Sequence, residues 1–137
     1  MLQAEAEPGI YEVLQVLQQQ AHLIIITNNC EAFALECMRA LKLDGYFEHI
    51  WGRESLRELK PAPGPLLQAL EAYPHLNCDD ALMIGDAITD FQAAQSAKIK
   101  FVAYTGSRDI NWPPASADLL LQAWDDNAPS RILQLLN

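Results

Sequence analysis

The sequence predicts an α/β domain, and three observations carry that prediction. Apolar runs of strand length recur at Leu23–Ile26, Ala81–Ile84 and Lys100–Tyr104. Between them lie stretches with apolar residues at helical spacing, the alternation expected of strands joined by crossover helices. Composition is the third: half of the 137 residues are hydrophobic and a fifth are charged, ordinary usage for a chain able to bury one core. Residues 1–137 read as a single domain, with no internal repeat or low-complexity linker.

The elements follow in order. Glu12-Val13-Leu14-Gln15-Val16-Leu17 begins a helix that leads into the Leu23–Ile26 strand. Glu31 to Leu41 is the next helix, and its spacing puts Phe33, Ala34, Cys37, Met38 and Leu41 on the face toward the sheet. Phe47 to Trp51 suggests a short strand, followed by the polar stretch Gly52 to Leu59. Leu66 to Tyr73 is amphipathic and helical. Ala81 to Ile84 is a buried strand, Gly85 allows a sharp turn at its end, and Asp90 to Ala97 is the helix that follows. Lys100 to Tyr104 is a strand, Asn111-Trp112-Pro113-Pro114 a loop, Asp118 to Leu121 a last edge strand and Pro129 to Leu136 a closing helix.

Charge and cysteine usage exclude several classes. Eighteen acids against nine bases give a net charge of −9 without a basic patch, which argues against nucleic acid and anionic membranes as partners. No apolar run is long enough to span a bilayer and no signal-like start is present, so a cytoplasmic location is expected. Three cysteines without paired spacing do not form a disulfide framework or a zinc site. Cys30 and Cys37 read as flanking a helix, and Cys78 as a loop thiol. His22, His49 and His75 are scattered and lack ligand-like spacing, and read as structural or solvated.

Chemistry concentrates at three strand or loop ends. Asp86 and Asp90 stand four residues apart across a strand-to-helix loop. That places two hard oxygen ligands on one side, an arrangement suited to Mg²⁺ completed by waters and a phosphate. Asp also favours Asx turns and helix caps, the alternative for this pair. Thr27, Asn28 and Asn29 close the Leu23–Ile26 strand, where a hydroxyl and amides can face a phosphoryl group or simply cap the next helix. Lys60 precedes Pro61, Pro63 and Pro65, which stiffen its loop, so its cation is held rather than free. A solvated lysine is the alternative.

Taken in order, strand-Thr27-Asn28, Lys60-Pro61 and Gly85-Asp86-x-x-x-Asp90 resemble motifs two, three and four of the haloacid dehalogenase superfamily, in its phosphoglycolate-phosphatase-like branch. The resemblance runs from about Glu7 to Gly106, with a weaker tail to Leu136. It implies a three-layer open parallel sheet with helices on both faces. It also implies a Mg²⁺-dependent phosphohydrolase for a small phosphorylated molecule, working through an aspartyl-phosphate. Thr27 and the Asn28 amide would hold the phosphoryl group, Lys60 would steady it as a catalytic cation, and Asp86 and Asp90 would position the metal. The family's nucleophile lies in an Asp-x-Asp motif ending its first, central strand, and no Asp-x-Asp occurs in this sequence. Asp79-Asp80 and Asp125-Asp126 are adjacent pairs, Asp109 follows no apolar strand, and Met1–Ala6 is short and polar.

The chain therefore resembles the family core from just after its cap, with the central first strand missing. It is expected to be inactive alone, and the open edge left behind would invite self-association. A non-catalytic module keeping the Mg²⁺ and phosphate pocket is the main rival. A receiver domain has the opposite order of acids and Thr/Lys. A dinucleotide-binding domain would need a Gly-x-Gly-x-x-Gly that is not present.

Overall fold

The computed structural model describes residues 6–106 and 116–136. The readings of Asp109, of the Asn111–Pro114 loop and of Met1–Glu5 lie outside those residues. The order is α1 (Ile10–Gln18), β1 (Ile24–Ile26), α2 (Glu31–Ala40), β2 (His49–Trp51), α3 (Gly64–Glu71), β3 (Leu82–Gly85), α4 (Ile88–Ala97), β4 (Lys100–Tyr104), β5 (Leu119–Leu121) and α5 (Ala128–Gln134). The alternation is as expected. Boundaries shift by two residues or fewer throughout, the last turn of α5 ending two residues early.

All strand pairing is parallel, in two separate sheets. β1 pairs with β2, with Ile25 opposite Ile50. β3 pairs with β4 and β4 with β5, with Ile84 opposite Val102 and Ala103 opposite Leu120. No ladder joins β1 to β3 among the described residues.

Side-chain alternation on β4 builds the core on two faces. Phe101 and Ala103 point to one face, against Leu66 of α3 and Ala93, Ala94 and Ala97 of α4. Val102 points to the other, against Val13 and Leu17 of α1, Leu121 of β5 and Ala128 and Ile132 of α5. Three layers result: α3 and α4, the sheet, then α1 and α5. The run of small alanines on α4 lets that helix lie close to β3 and β4.

Two details depart from the sequence reading. Phe33 on α2 is 50% exposed, and no residue of α2 is fully buried. The helix therefore rests loosely on β2 instead of sealing the sheet with its aromatic. Cys37 lies within α2, not at its end; Cys30 is its N-cap residue.

Candidate functional site

The carboxyl ends of β1 and β3 converge on one lysine. Lys60 Nζ donates to Asp90 Oδ1 at 2.7 Å and to the Ile26 carbonyl at 2.9 Å. Its loop is fixed from below by Asn28, whose Oδ1 accepts from the Lys60 N–H at 3.1 Å and whose Nδ2 donates to the Lys60 carbonyl at 2.9 Å. Backbone and ammonium of one residue thus tie the end of β1 to the start of α4. The Lys60 and Asp90 side chains are only 9% and 10% exposed. A buried pair of this kind survives because its desolvated charges are also hydrogen-bonded.

Asp90 reaches that position as the third residue of α4, where its Oδ2 also accepts from the Ala87 N–H at 3.2 Å. The carboxylate so caps the helix and meets the positive end of its dipole. Gly85 explains how it fits. A Cβ there would come within 2.5 Å of Asp90 Oδ2. The glycine is needed for this close approach and not for a left-handed turn, since Gly9 and Gly106 are the glycines with positive φ. That corrects the sequence reading of Gly85.

Thr27 Oγ1 accepts from the Asn29 N–H at 3.1 Å, which closes a short turn and leaves the hydroxyl proton able to donate elsewhere. The Asn28 side chain, rather than facing a phosphate as its sequence position suggests, is engaged with the Lys60 backbone on both polar atoms. Asp86 is exposed just beyond β3. Thr27, Asn28, Lys60, Asp86 and Asp90 therefore gather at one end of the strands.

Both candidate ligands are carboxylates, hard donors of the kind Mg²⁺ takes singly or in pairs, with waters and phosphate oxygens completing the shell. Asp90 is already bonded through both oxygens, so its remaining lone pairs alone are on offer. No cluster of three or more His, Cys, Asp or Glu residues suited to a metal occurs among the described residues. The residues fit a water-rich Mg²⁺ site with few protein ligands, not a protein cage.

Sequence reasoning missed the pinning of the loops around this end. Glu31 Oε1 accepts from the Gly52 N–H at 2.8 Å, and Glu54 Oε1 accepts from the Glu31 N–H at 2.7 Å, which holds the Glu54 carboxyl below its ordinary pKa. It also missed a cluster at the opposite end of β1 and β2. His22 Nδ1 and Glu48 Oε2 are 2.6 Å apart, the Tyr73 hydroxyl donates to Glu48 Oε1 at 2.8 Å, and the His22 ring stacks on Tyr73. His49 and His75 approach the same rings edge-on. The histidines are scattered in sequence but not in space. The bond from His22, then that from Tyr73, lowers the Glu48 pKa; burial and then Glu48 push the Tyr73 phenol up to about 12.

Residues 2–104 match the family model described as haloacid dehalogenase-like hydrolase. A phosphoglycolate phosphatase of Nitrosospira multiformis is 41% identical over 96 residues, 67% of this chain and 40% of the relative. The chain spans less than half the length of that curated relative. A crystal structure of a predicted phosphoglycolate phosphatase from Haemophilus somnus superposes with a TM-score of 0.80 at 27% identity, covering 96% of this chain and 57% of the other. A HAD hydrolase from Bacillus subtilis bound to magnesium shares the fold, with a TM-score of 0.77 at 23% identity over 94% of this chain and 55% of its own.

Proposed function

The chain belongs to the haloacid dehalogenase-like hydrolase family, and from that premise we propose that it is the core of a Mg²⁺-dependent phosphohydrolase for a small phosphate ester. The observation that carries this reading is Lys60, bonded at once to the end of β1 and to Asp90 beyond β3. A cation fixed in that way sits where the strand ends open to a ligand, as is usual in open α/β sheets.

On this reading Thr27 donates its hydroxyl to a phosphoryl oxygen, and Asn28 contributes its main-chain N–H while its side chain holds the Lys60 loop. Lys60 offsets phosphate charge. Asp86 and Asp90 hold Mg²⁺, which would supply charge neutralisation and orientation of the phosphate. The ion answers an electrostatic need. Two carboxylates and one ammonium leave the strand ends net negative on a chain of net charge −9, which would repel a phosphate without a divalent cation. Positioning and electrostatics of this kind carry most of the burden in phosphoryl transfer.

The substrate class follows from relatives named for phosphoglycolate, and a cytoplasmic setting suits such a substrate. With no Asp-x-Asp in the sequence, covalent transfer lacks its family nucleophile, so this chain by itself is expected to be inactive or nearly so. The same feature favours a second reading, a non-catalytic module that binds phosphate and Mg²⁺.

Turnover of p-nitrophenyl phosphate with and without Mg²⁺, beside Asp86→Asn, tests the proposal. Background rates in both proteins, together with Mg²⁺ binding that Asp86→Asn abolishes, fit a site without its nucleophile. Mg²⁺-dependent turnover lost in Asp86→Asn would show a different carboxylate acting. Absence of any Mg²⁺ binding would remove the reading.

A further inference from the structure

Where β1 and β2 end, the two chain segments stay bonded to each other a little further. The Thr27 N–H donates to the Trp51 carbonyl at 3.0 Å, and the Arg53 N–H donates to the Asn29 carbonyl at 3.0 Å. The Asn29 N–H in turn bonds Thr27 Oγ1, so Arg53 stands beside the residue that closes the Thr27 turn. Gly52 locks this arrangement. Its N–H donates to Glu31 Oε1 at 2.8 Å, and a Cβ on it would come within 2.4 Å of the Glu31 main chain. The turn that presents Arg53 is therefore seated tightly against the start of α2.

Charge makes that placement informative. Lys60 is committed, buried against Asp90 and the Ile26 carbonyl. Of the other described lysines and arginines, Arg53 alone falls within two residues of a strand's carboxyl end. Among the described residues its guanidinium pairs only with its neighbour Glu54, Nε to Oε2 at 3.3 Å, and the two side chains are 58% and 51% exposed. An exposed pair of this kind adds little to stability and exchanges readily with other ions. The other Glu54 oxygen accepts from the Glu31 N–H. A carboxylate of the chain itself thus occupies the guanidinium, two residues of chain away from the hydroxyl assigned to the phosphoryl group.

Geometry and charge set what an outside ligand must carry to take that place. The arginine fork matches a planar carboxylate, which it can hold through two parallel bonds. Thr27 and Asn29 are two residues apart, so at most about 7 Å of chain separates the phosphoryl position from the residue beside Arg53. A ligand that meets both has its phosphate and carboxylate joined by a few atoms. Long-range charge works against such a ligand, because its second anionic group adds to repulsion from a chain of net charge −9. A preference for it therefore requires a local cation.

We propose that Arg53 is a specificity-determining residue: its guanidinium leaves Glu54 and pairs with a carboxylate of the substrate while Thr27 meets the phosphoryl group. The inference deepens the phosphohydrolase reading and rests on it for the phosphoryl position at Thr27.

Calorimetric titration of the whole chain with phosphoglycolate and with methyl phosphate, both in saturating Mg²⁺, isolates the carboxylate. Phosphoglycolate should bind about tenfold more tightly, the scale of one charge-assisted pair. Arg53→Gln should bring the two affinities level. Arg53→Lys keeps the charge but loses the fork, and should leave a preference of about threefold or less. Glu54→Gln keeps an acceptor for the Glu31 N–H and removes the competing charge, so the preference should widen. Equal affinities in the unaltered chain would overturn the proposal and leave the phosphohydrolase reading in place. So would a preference that survives Arg53→Gln, or one that Glu54→Gln leaves unchanged. No binding of either ligand would remove the phosphohydrolase reading and the proposal together.

Discussion

The β3–β4–β5 sheet and the β1–β2 sheet use the same apolar residue types but are covered very differently. In β4, Val102 and Ala103 are 0% exposed and Phe101 2%, each pressed between helix layers. In β1 and β2 every residue is only half-buried, and α2 buries none of its side chains fully. The finished part of the first sheet is β4, which carries a cluster on each face, while β3 at its edge is only half-buried like β1 and β2. The second is held to it by α3 and by a few polar ties, chiefly Asn28 to the Lys60 loop and Lys60 to Asp90. Burial stabilises the one half, and hydrogen-bonded charge at the candidate site joins the other to it.

The largest effect should come from cutting that join. Asp90→Ala leaves Lys60 buried without its partner and removes the α4 cap, and should cost about 3–5 kcal/mol in urea unfolding. A loss below about 1 kcal/mol would mean that the pair is solvated and the two halves are joined otherwise. Next comes a matched test of the halves. Val102→Ala should cost about 2 kcal/mol, whereas Ile25→Ala, which deletes more atoms, should cost about 1 kcal/mol or less because its surroundings are already open. Equal or reversed costs would erase the distinction between the sheets.

Asn28→Ala removes two hydrogen bonds to the Lys60 backbone and should cost about 1–2 kcal/mol. Exchange should quicken in β1 and β2 before it does in β4. The smallest effect lies at the far end of β1 and β2. Tyr73 is raised to about 12, so the stability it contributes is whole below its ordinary value near 10 and is lost as pH rises through about 12. Tyr73→Phe should flatten that alkaline loss. Glu48→Gln should lower the phenol titration only part of the way, since burial is the larger cause. Glu48 has the opposite sense: its lowered pKa stabilises above the ordinary glutamate value and is lost as pH falls through the lowered one.

Much of this architecture is legible in the sequence because apolar runs bounded by Gly, Pro and Asx residues mark strands whatever their neighbours. Ala81–Ile84 and Lys100–Tyr104 were readable in that way, and so was the meeting of Lys60 with the Asp86 and Asp90 segment once the motif order was read. What stayed hidden depends on contacts between distant residues. Asn28 grips a loop 32 positions away, and nothing local separates a phosphate-binding amide from a backbone clamp. His22, Glu48 and Tyr73 meet only because β1, β2 and the end of α3 are stacked. Phe33 is exposed against expectation because helical spacing assigns a face without saying how closely the sheet approaches it. Gly85 reads as a turn residue because one-dimensional text shows permissive backbone and not a neighbouring carboxylate that a Cβ would meet at 2.5 Å.

The most direct measurement is a titration of the whole chain with Mg²⁺ and then inorganic phosphate, followed by amide and side-chain NMR. Shifts confined to Thr27, Asn28, Lys60, Asp86 and Asp90, with phosphate binding only after Mg²⁺ and both lost in Asp86→Asn, are the predicted result. Phosphate binding that ignores Mg²⁺ and survives Asp86→Asn, or shifts centred on the His22–Glu48–Tyr73 end, would contradict it.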